Sequence, residues 1–319
     1  RRPFFFFFNP EERPNALFIT AMDTNPLSAK AEVVIGERKE DFEAGVKVLS
    51  KLTKGTTFVC HAADEDVPVP SAENVRGEKF QGKHPAGNPG LHINYLMKAP
   101  VSMHNIAWYV GYQDVMMIGK LFRTGKLDTE RVVAIGGPQA KNPRLVRTRL
   151  GACLSELLEE EKVGDKTRLV SGSALFGRKA DGPFDYLGRY TNQVTLLPEG
   201  GEREFMGWHA PGFDKFSVKP TFMSRLVPGK KFRFDTLKHG SPRAMVPVGT
   251  FEKVMPYRDM LPTQLLRAIV TKDTELALSL GVLELDEEDV ALCTFASPGK
   301  TDFGPYLRES LTLIEKEEG

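Results

Sequence analysis

The chain has 319 residues, an apolar fraction of 41%, a charged fraction of 27% and a net charge of +1. This length predicts two or three domains, and the even mixture of basic and acidic residues argues against a nucleic-acid-binding surface. No apolar run reaches the roughly 18 uninterrupted residues of a membrane span, so any membrane attachment is expected to be peripheral or through partners.

The N-terminal stretch RRPFFFFFNP begins with arginine rather than methionine and includes five consecutive phenylalanines. We interpret residues 1–14 as an extended lead-in from a missing N-terminal domain. Because uncovered phenylalanines favour aggregation, the run is expected to pack on this fold or on the missing segment rather than against a membrane.

Residues 15–127 alternate between strand and helix patterns. NALFITAM and TTFVC are typical of buried strands, and the segment between them has apolar residues at helical spacing, at Phe42, Val46, Leu49 and Leu52. VRGEKFQG predicts a further strand, and AWYVGYQDVMMIGKLFRTG continues the alternation. This order predicts a Rossmann-like α/β domain.

The rest of the chain predicts an α+β unit followed by helices. Residues 128–200 have four short β patterns, ERVVAIGGP, RLVRTRLG, RLVSGSALFG and YTNQVTLLPEG, and one helical pattern, CLSELLEEE, which together favour a β-grasp (SLBB-like) domain. Residues 201–246 are predicted to be a β-rich connection, with strands at EREFMGW and KKFRFDTL. Residues 247–319 turn helical in PTQLLRAIV, DTELALSLG and DEEDVALCT, which predicts a helical C-terminal domain.

The stretch HPAGNPGLHINYL, residues 84–96, predicts a loop that leads into a helix. Free amides at a helix N-terminus can bind a phosphate or another anion. The pattern is neither G-x-G-x-x-G nor G-x-x-x-x-G-K-[ST], so a plain turn with Pro89 in the first helical turn is favoured. The candidate ligand-binding residues of the loop are Gly87, Asn88, Gly90, His92 and Asn94.

Two charged patterns have both a functional and a plain structural interpretation. Arg147 and Arg149 share one face of a predicted strand near Arg144, where they could receive an acidic partner or a phosphate, but a solvated strand face has the same alternation. The acids at 286–289 could be imagined as a metal site, but the charged first turn of a helix explains them without a ligand.

The side chains needed for catalysis or metal binding are not grouped in the sequence. Of His61, His84 and His92, only the last two are near each other, whereas zinc sites need three or four ligands. Cys60, Cys153 and Cys293 form no C-x-x-C pair, which argues against a disulfide framework and a cysteine-ligated centre and fits a reducing cytoplasm. No serine–histidine–acid or cysteine–histidine set is evident, so no catalytic residue is predicted.

Seven stretches have a distinctive wording that extends along most of the chain: AMDTNPL, GLHINYL, TERVVAIGGPQAKNPRLVRTRLGA, YLGRYTNQV, EREFMGW, GSPRAMVPVG and LGVLELDEEDVALCTFASPGKTDFGPYLRESLTLIEKE. These stretches resemble the A subunit of the bacterial Na+-translocating NADH:quinone oxidoreductase. The resemblance covers nearly the whole chain and implies that this chain corresponds to the C-terminal two-thirds of that subunit.

This resemblance implies a peripheral subunit on the cytoplasmic face of the bacterial inner membrane, in a complex that couples electron transfer from NADH to quinone with sodium export. Its implied partners are the other subunits of that complex, with quinone as a candidate ligand and with NADH, flavins and iron–sulfur centres held by the sister subunits. The isolated chain is therefore expected to be colourless. The alternatives are an independent soluble oxidoreductase that binds a flavin or nicotinamide nucleotide, and a purely architectural subunit.

More remotely, the pattern resembles the C subunit of Rnf complexes and the flavoprotein subunit of respiratory complex I, whose flavin loop lies in the first of these domains. GNPGLHIN occupies that position without the relatives' lysine, which implies an emptied cofactor loop. The favoured role of the loop is then structural. The alternative role is contact with a quinone carbonyl through His92 or Asn94. If the loop is structural, Gly87 or Gly90 is expected to adopt a backbone conformation closed to other residues, and valine there is expected to lower thermal stability.

The region that corresponds to the relatives' iron–sulfur segment is ALCTFASPGKTDFGP. It keeps only Cys293, and one thiolate cannot hold a cubane cluster.

Overall fold

A computed structural model describes residues 1–4, 11–164, 166–201, 205–207, 209–238, 244–245 and 249–318. It has two sheets and a helical C-terminal region, which confirms the predicted combination of α/β and α+β architecture. Within the described ranges, no helix combines the length and apolar character needed to cross a bilayer.

Four strands form the first sheet: β1 (Ala16–Ala21), β2 (Thr56–Ala62), β3 (Val75–Phe80) and β4 (Ala107–Gly111). All pair in parallel, in the order β3-β2-β1-β4. This order matches the first four positions of the six-stranded Rossmann order, so the predicted Rossmann-like domain is confirmed. Both faces are apolar because both are covered, as parallel sheets require.

One face of this sheet packs against α1 (Ala31–Gly36), α2 (Lys39–Leu49) and α4 (Tyr112–Thr124). The odd-numbered β1 residues point to this face. The helical spacing predicted for α2 is confirmed at its three buried apolar positions, but Leu52 lies beyond the helix end and is exposed.

The second sheet comprises β5 (Glu130–Gly136), β6 (Arg144–Arg149), β7 (Thr167–Ser171), β8 (Arg178–Lys179) and β9 (Gln193–Pro198), with the short helix α5 (Leu154–Leu157) between β6 and β7. The strand order is β6-β5-β9-β7-β8, and the central pair β5 and β9 is parallel while the flanking pairs are antiparallel. A hairpin, a helix and a returning hairpin whose first and last strands pair in parallel are the β-grasp arrangement, as predicted.

The C-terminal region contains α6 (Phe251–Val254), α7 (Pro262–Thr271), α8 (Thr274–Ser279), α9 (Glu287–Ala296) and α10 (Phe303–Glu318). These helices do not have a core of their own. They share one buried cluster with α3 (Pro89–Leu96) and with the second face of the first sheet, including Phe18 and Phe58. The region therefore completes the α/β/α sandwich that the first domain begins.

The predicted β-rich connection at 201–246 is wrong for its described residues, which contain a 3-10 turn at Met223–Leu226 and no strand. KKFRFDTL does alternate: Phe232 and Phe234 are half-buried, while Lys231 and Arg233 are exposed. This segment forms no strand ladder in the described part of the chain. Period-two alternation alone does not distinguish a paired strand from an unpaired segment with one buried face. Most of EREFMGW and the predicted boundary at 247 lie outside the described residues.

Residues 1–4 are built into the fold rather than leading up to it. Arg2 pairs antiparallel with Ala107 at the start of β4: Arg2 N donates to Ala107 O at 2.8 Å, and Ala107 N donates back to Arg2 O at 3.2 Å. Phe4 is buried in the same cluster as the C-terminal helices, which confirms packing on this fold for the first phenylalanine. The other four, at 5–8, lie outside the described residues.

Candidate functional site

The carboxyl ends of β1 and β4 lie at the switch point of the first sheet, where open α/β folds usually bind ligands. Strands β2 and β3 continue from one side of β1, and β4 lies on the other. Because β4 passes directly into α4, this edge is occupied mainly by residues 22–30, the loop after β1, which we call the β1 loop. Its sequence includes DTNPLS.

The loop at 84–88, the first candidate from sequence, lies against the β1 loop. Gly87 N donates to Thr24 Oγ1 at 2.8 Å, and the same hydroxyl lies 3.2 Å from His84 Nδ1. One of the amides proposed to meet an anion is therefore already bonded to a side chain of the neighbouring loop. The structure brings the predicted loop to the predicted edge of the sheet and closes it there.

Gly87 and Gly90 are needed for space and not for a special backbone angle. Neither is among the glycines with positive φ, so the expected conformation is wrong. A Cβ on Gly87 would lie 2.7 Å from Thr24 N, and one on Gly90 would lie 2.4 Å from Asp289 Oδ2. Both positions require glycine because parts of the chain that are distant in sequence pack closely against them.

Replacing Gly87 by valine is expected to lower the free energy of unfolding by about 1–3 kcal/mol, because the new side chain must displace the backbone that follows β1. Thermal or urea unfolding measures the loss. Gly111→Val is the matched control, since no atom lies within 4 Å of a Cβ there and its φ of −76° suits valine. Equal losses for the two variants would contradict the steric explanation.

His92 is fully buried in α3, where its ring packs 4.2 Å from the ring of Phe80. Its Nε2 lies 2.9 Å from Ala86 O, a separation that fits an Nε2–H donor. Burial lowers the pKa of His92 and of His84 to about 4, so both imidazoles are neutral at neutral pH. His92 Nδ1 and His84 Nε2 are buried without a hydrogen-bond partner among the described residues.

Asn94 connects α3 to the segment before α7. Its Nδ2 donates to Arg258 O at 3.2 Å and to Glu284 Oε2 at 2.7 Å, while Arg258 N donates to its Oδ1 at 2.6 Å. Both ends of the amide are therefore engaged by the chain itself. Asn88, also buried, lies within 3.5 Å of Asp289 Oδ1 through its Nδ2.

A buried ion cluster lies beside the loop and was missed by the sequence reasoning. Its members are Arg2, Tyr109, Tyr257, Asp286 and Asp289. Arg2 Nη2 donates to Asp289 Oδ2 at 2.9 Å, and Arg2 Nη1 lies 3.9 Å from Asp286 Oδ2. Tyr257 Oη donates to Asp289 Oδ1 at 2.7 Å and Tyr109 Oη to Asp286 Oδ2 at 3.2 Å, while the Arg2 guanidinium lies 5.3 Å from the Tyr109 ring centroid.

The two aspartates of the cluster also cap α9. Asp286 Oδ1 accepts from Glu287 N at 2.9 Å. In addition, the Asp286 side chain accepts from the Asp289 backbone and Asp286 N donates to Asp289 Oδ2 at 2.9 Å, and this reciprocal pair is a capping box. The capping interpretation of 286–289 is confirmed. Burial works against ionisation of Asp286, but Arg2 and the capping hydrogen bonds outweigh it and lower the pKa to about 2.

The third acid of this turn, Glu288, faces the β1 loop. Asn25 Nδ2 donates to Asp23 Oδ1 at 3.0 Å and approaches Glu288 Oε1 at 3.5 Å. Burial raises the pKa of Glu288 to about 8, and the carboxylates of Asp289, Asp23 and Asp286 add to this rise. Burial likewise raises the pKa of Asp23. The turn thus combines one strongly ionised carboxylate with one that holds its proton at neutral pH.

The second sheet encloses the same edge from the other side. Gln193 Nε2 donates to Pro26 O of the β1 loop at 3.0 Å. Gln113, at the start of α4, forms two hydrogen bonds with the Val132 backbone, at 2.7 and 2.9 Å. The β1 loop is therefore held by the loop at 84–88, by α9 and by the second sheet.

Two of the three arginines considered as an acidic-partner or phosphate site, Arg144 and Arg147, pair with acidic side chains of this chain. Arg147 pairs with Glu37 at 2.6 Å and with Glu130 at 3.1 Å, and Arg144 contacts Glu161. In the described residues, no group of three histidine, cysteine or acidic side chains is arranged to hold a metal ion.

Cys293 is buried in the helical core, 4.0 Å from the sulfur of Met255, and burial raises its thiol pKa to about 12. At that pKa the group is a neutral thiol that packs as an apolar side chain.

These features define a Rossmann-like protein with an attached β-grasp domain. Family models agree: the one described as "NqrA second alpha/beta domain" matches residues 1–127, and the one described as "NQRA C-terminal domain" matches residues 132–182.

The chain is 53% identical over 307 residues to the A subunit of the Na+-translocating NADH-quinone reductase of Hahella chejuensis, covering 96% of this chain and 68% of that protein. It is 54% identical over 304 residues to the same-named protein of Saccharophagus degradans, covering 95% of this chain and 67% of the relative. The chain belongs to the NqrA family, the A subunits of the Na+-translocating NADH-quinone reductases. A structure titled as an NAD+-reducing [NiFe]-hydrogenase aligns over 96% of this chain and 55% of its own, with a TM-score of 0.45 and 11% identity, which is too distant to bear on the site.

Proposed function

We propose that this chain is part of the A subunit of a Na+-translocating NADH:quinone reductase, a complex that couples electron transfer from NADH to quinone with sodium export. The observation that carries the proposal is the identity of more than half over 95–96% of the chain to relatives with that name. In this role the chain is a peripheral subunit on the cytoplasmic face of the inner membrane, held by the other subunits.

We further propose that the chain contributes no redox centre, and that NADH, flavins and iron–sulfur centres are bound by the sister subunits. Two observations support this. Cys293 is a neutral thiol packed against Met255, an environment unsuited to a thiolate ligand. The backbone amide of Gly87, at the position where relatives of this fold bind cofactors, already donates to Thr24.

The role proposed for the loop at 84–96 is structural. Asn94 has its whole amide engaged, and His92 is fully buried, so the two side chains considered as donors to a quinone carbonyl are both used inside the fold. The competing role, contact with a quinone head group, depends on His92 Nδ1, and that atom becomes reachable only if α3 moves away from its neighbours. The filled edge of the sheet also disfavours an independent oxidoreductase with a nucleotide at this position.

The test is fractionation of a strain in which the membrane-spanning subunits of the complex are deleted. With the partners present, the protein is expected in the membrane pellet after a wash at physiological salt; without them, it is expected in the supernatant. The protein recovered from that supernatant is expected to be colourless and not to oxidise NADH by itself. Retention on the washed membrane would contradict the partner-dependent location, and a flavin or cluster absorption band would contradict the assignment of redox centres to the sister subunits.

A further inference from the structure

Residues 209–238, which we call the basic aromatic loop, differ in composition from the rest of the chain. They contain seven lysines and arginines and two aspartates, a net charge of +5 against +1 for all 319 residues. The remainder of the protein is therefore net acidic. Five phenylalanines are interspersed among these cations, and apart from the 3-10 turn Met223–Leu226 the backbone of the loop is irregular.

The basic aromatic loop is held by hydrogen bonds where it meets β9 and by hydrogen bonds between its own residues. Gly200 N donates to Thr236 Oγ1 at 2.8 Å, and that hydroxyl donates to Pro198 O at 3.2 Å, so the chain returns to the end of β9 where it left. Within the loop, Lys230 Nζ donates to Phe213 O at 2.6 Å. These contacts give the loop a defined outer surface.

Three of its phenylalanines contact α9 or one another, and one of these three, Phe216, remains 50% exposed. Phe216 stacks on Phe295 of α9 at a centroid distance of 5.7 Å and meets Phe232 at 5.5 Å, while Phe234 approaches Phe295 at 6.2 Å. These contacts dock the loop on the C-terminal helices. In the extended segment that follows, the phenylalanines are half-buried and the alternate basic residues are exposed.

The outer surface combines exposed cations with exposed apolar side chains. Leu226 and Val227 leave 61% and 53% of their surface exposed, directly after the exposed Arg225. The exposed apolar residues are Phe213, Phe216, Met223, Leu226 and Val227. The exposed cations are Lys219, Arg225, Lys231, Arg233 and Lys238. One of the two acids, Asp214, is paired with Lys230 at 2.5 Å, which leaves the surface strongly positive.

We propose that the basic aromatic loop rests on the surface of an anionic lipid bilayer, with its cations at the headgroups and its apolar side chains in the interfacial layer. Clustered lysines and arginines are attracted to anionic lipids, and exposed apolar side chains among them gain by insertion below the headgroups. A protein partner is the less suitable occupant, because the cores of protein interfaces are depleted in lysine. One such loop attaches weakly and reversibly, so partner subunits remain necessary at physiological salt.

The inference deepens the proposed peripheral location, but its test contains no partner subunit. The full-length protein is mixed at low salt with phosphatidylcholine vesicles and with vesicles that also contain phosphatidylglycerol, and binding is measured by sedimentation. Binding is expected to the anionic vesicles only and to weaken as salt is raised. The variant Arg225→Gln/Lys231→Gln/Arg233→Gln is expected to bind about 100-fold more weakly, at roughly fivefold for each cation.

The matched control, Lys39→Gln/Lys47→Gln/Lys51→Gln, removes the same charge from exposed positions in and just after α2 and is expected to change binding less than twofold. A second variant, Leu226→Ser/Val227→Ser, keeps the charge and is expected to weaken binding as well. Equal binding to neutral vesicles, or equal losses for the loop and control variants, would overturn the proposal. So would a loop variant that binds vesicles normally but fails to join the complex, since the loop would then meet an acidic protein partner. The vesicle measurements do not bear on membership of the complex, because they contain no partner subunit.

Discussion

Replacing Arg2 by methionine is expected to lower the free energy of unfolding by about 3–5 kcal/mol, the usual cost of leaving one member of a buried ion pair without its partner. Arg2 is 1% exposed and pairs with Asp289, which is also buried, whereas the second cation near the cluster, Arg308, is partly exposed and pairs with Asp286. Burial raises the pKa of Asp289, and Arg2 and Tyr257 counteract that rise. Without Arg2, the carboxylate must either stay charged in a site of low polarity or take up a proton, and both cost stability.

Chemical unfolding of the Arg2→Met variant measures the loss, with Arg149→Met as the control because Arg149 is exposed on β6. The double variant Arg2→Met/Asp289→Asn is expected to recover part of the loss, because the buried charge is removed together with its partner. A loss for Arg2→Met no larger than that for Arg149→Met would show that the cluster does not stabilise the fold.

The buried ion cluster also shows where prediction from sequence stops. Arg2 and Asp289 are 287 positions apart, and nothing in the sequence near either residue indicates that the two pair. Hydrophobic periodicity predicted the strands of both sheets apart from the two-residue β8, and it predicted α7, α8 and α9, because it reports which face of one element is buried. It did not predict α6 or α10. The capping role of Asp286 and Asp289 was predictable for the same reason, since a cap depends on a few adjacent residues. Burial of the cap against Arg2 depends on the tertiary fold.

Two errors have a similar origin. KKFRFDTL has the alternation of a strand, and its phenylalanines do turn inward, but a strand also needs a neighbour to bond, which alternation does not reveal. Gly87 and Gly90 were expected to need an unusual backbone angle, whereas the space they leave is taken by Thr24 and Asp289. The loop singled out in the sequence does lie at the ligand edge of the sheet, but its contacts with Thr24 and Asp289 could not be predicted because they join residues far apart in the chain.

Replacing Glu288 by glutamine is expected to stabilise the protein at pH 8 by about 3–5 kcal/mol and to change its stability little below pH 4.5. The pKa of Glu288 is about 8 in the folded protein, against 4.5 ordinarily, and each tenfold change in an acid dissociation constant corresponds to about 1.4 kcal/mol. Between these values the folded state holds a proton that the unfolded state has released, so stability falls as pH rises from 4.5 to 8 and is then constant. The charged groups that face Glu288 are Asp23 of the β1 loop, Asp286 and Asp289 of its own turn, and Arg2.

The measurement is urea unfolding of both proteins from pH 4 to pH 9, read as the difference between variant and wild type. The difference is needed because His84 and His92 act in the opposite direction: their folded pKa of about 4 makes stability fall as pH drops from 6.5 to 4. Asp286, with its pKa of about 2, contributes only below pH 3.8. Glu317→Gln, at an exposed position on α10, controls for the loss of one carboxylate and is expected to give a flat difference. Two results would contradict this prediction: a stability difference for Glu288→Gln that does not change with pH, or a variant that is less stable than wild type at pH 8. Either result would mean that Glu288 is ionised at neutral pH and that the β1 loop is held by a charged carboxylate rather than by a protonated one.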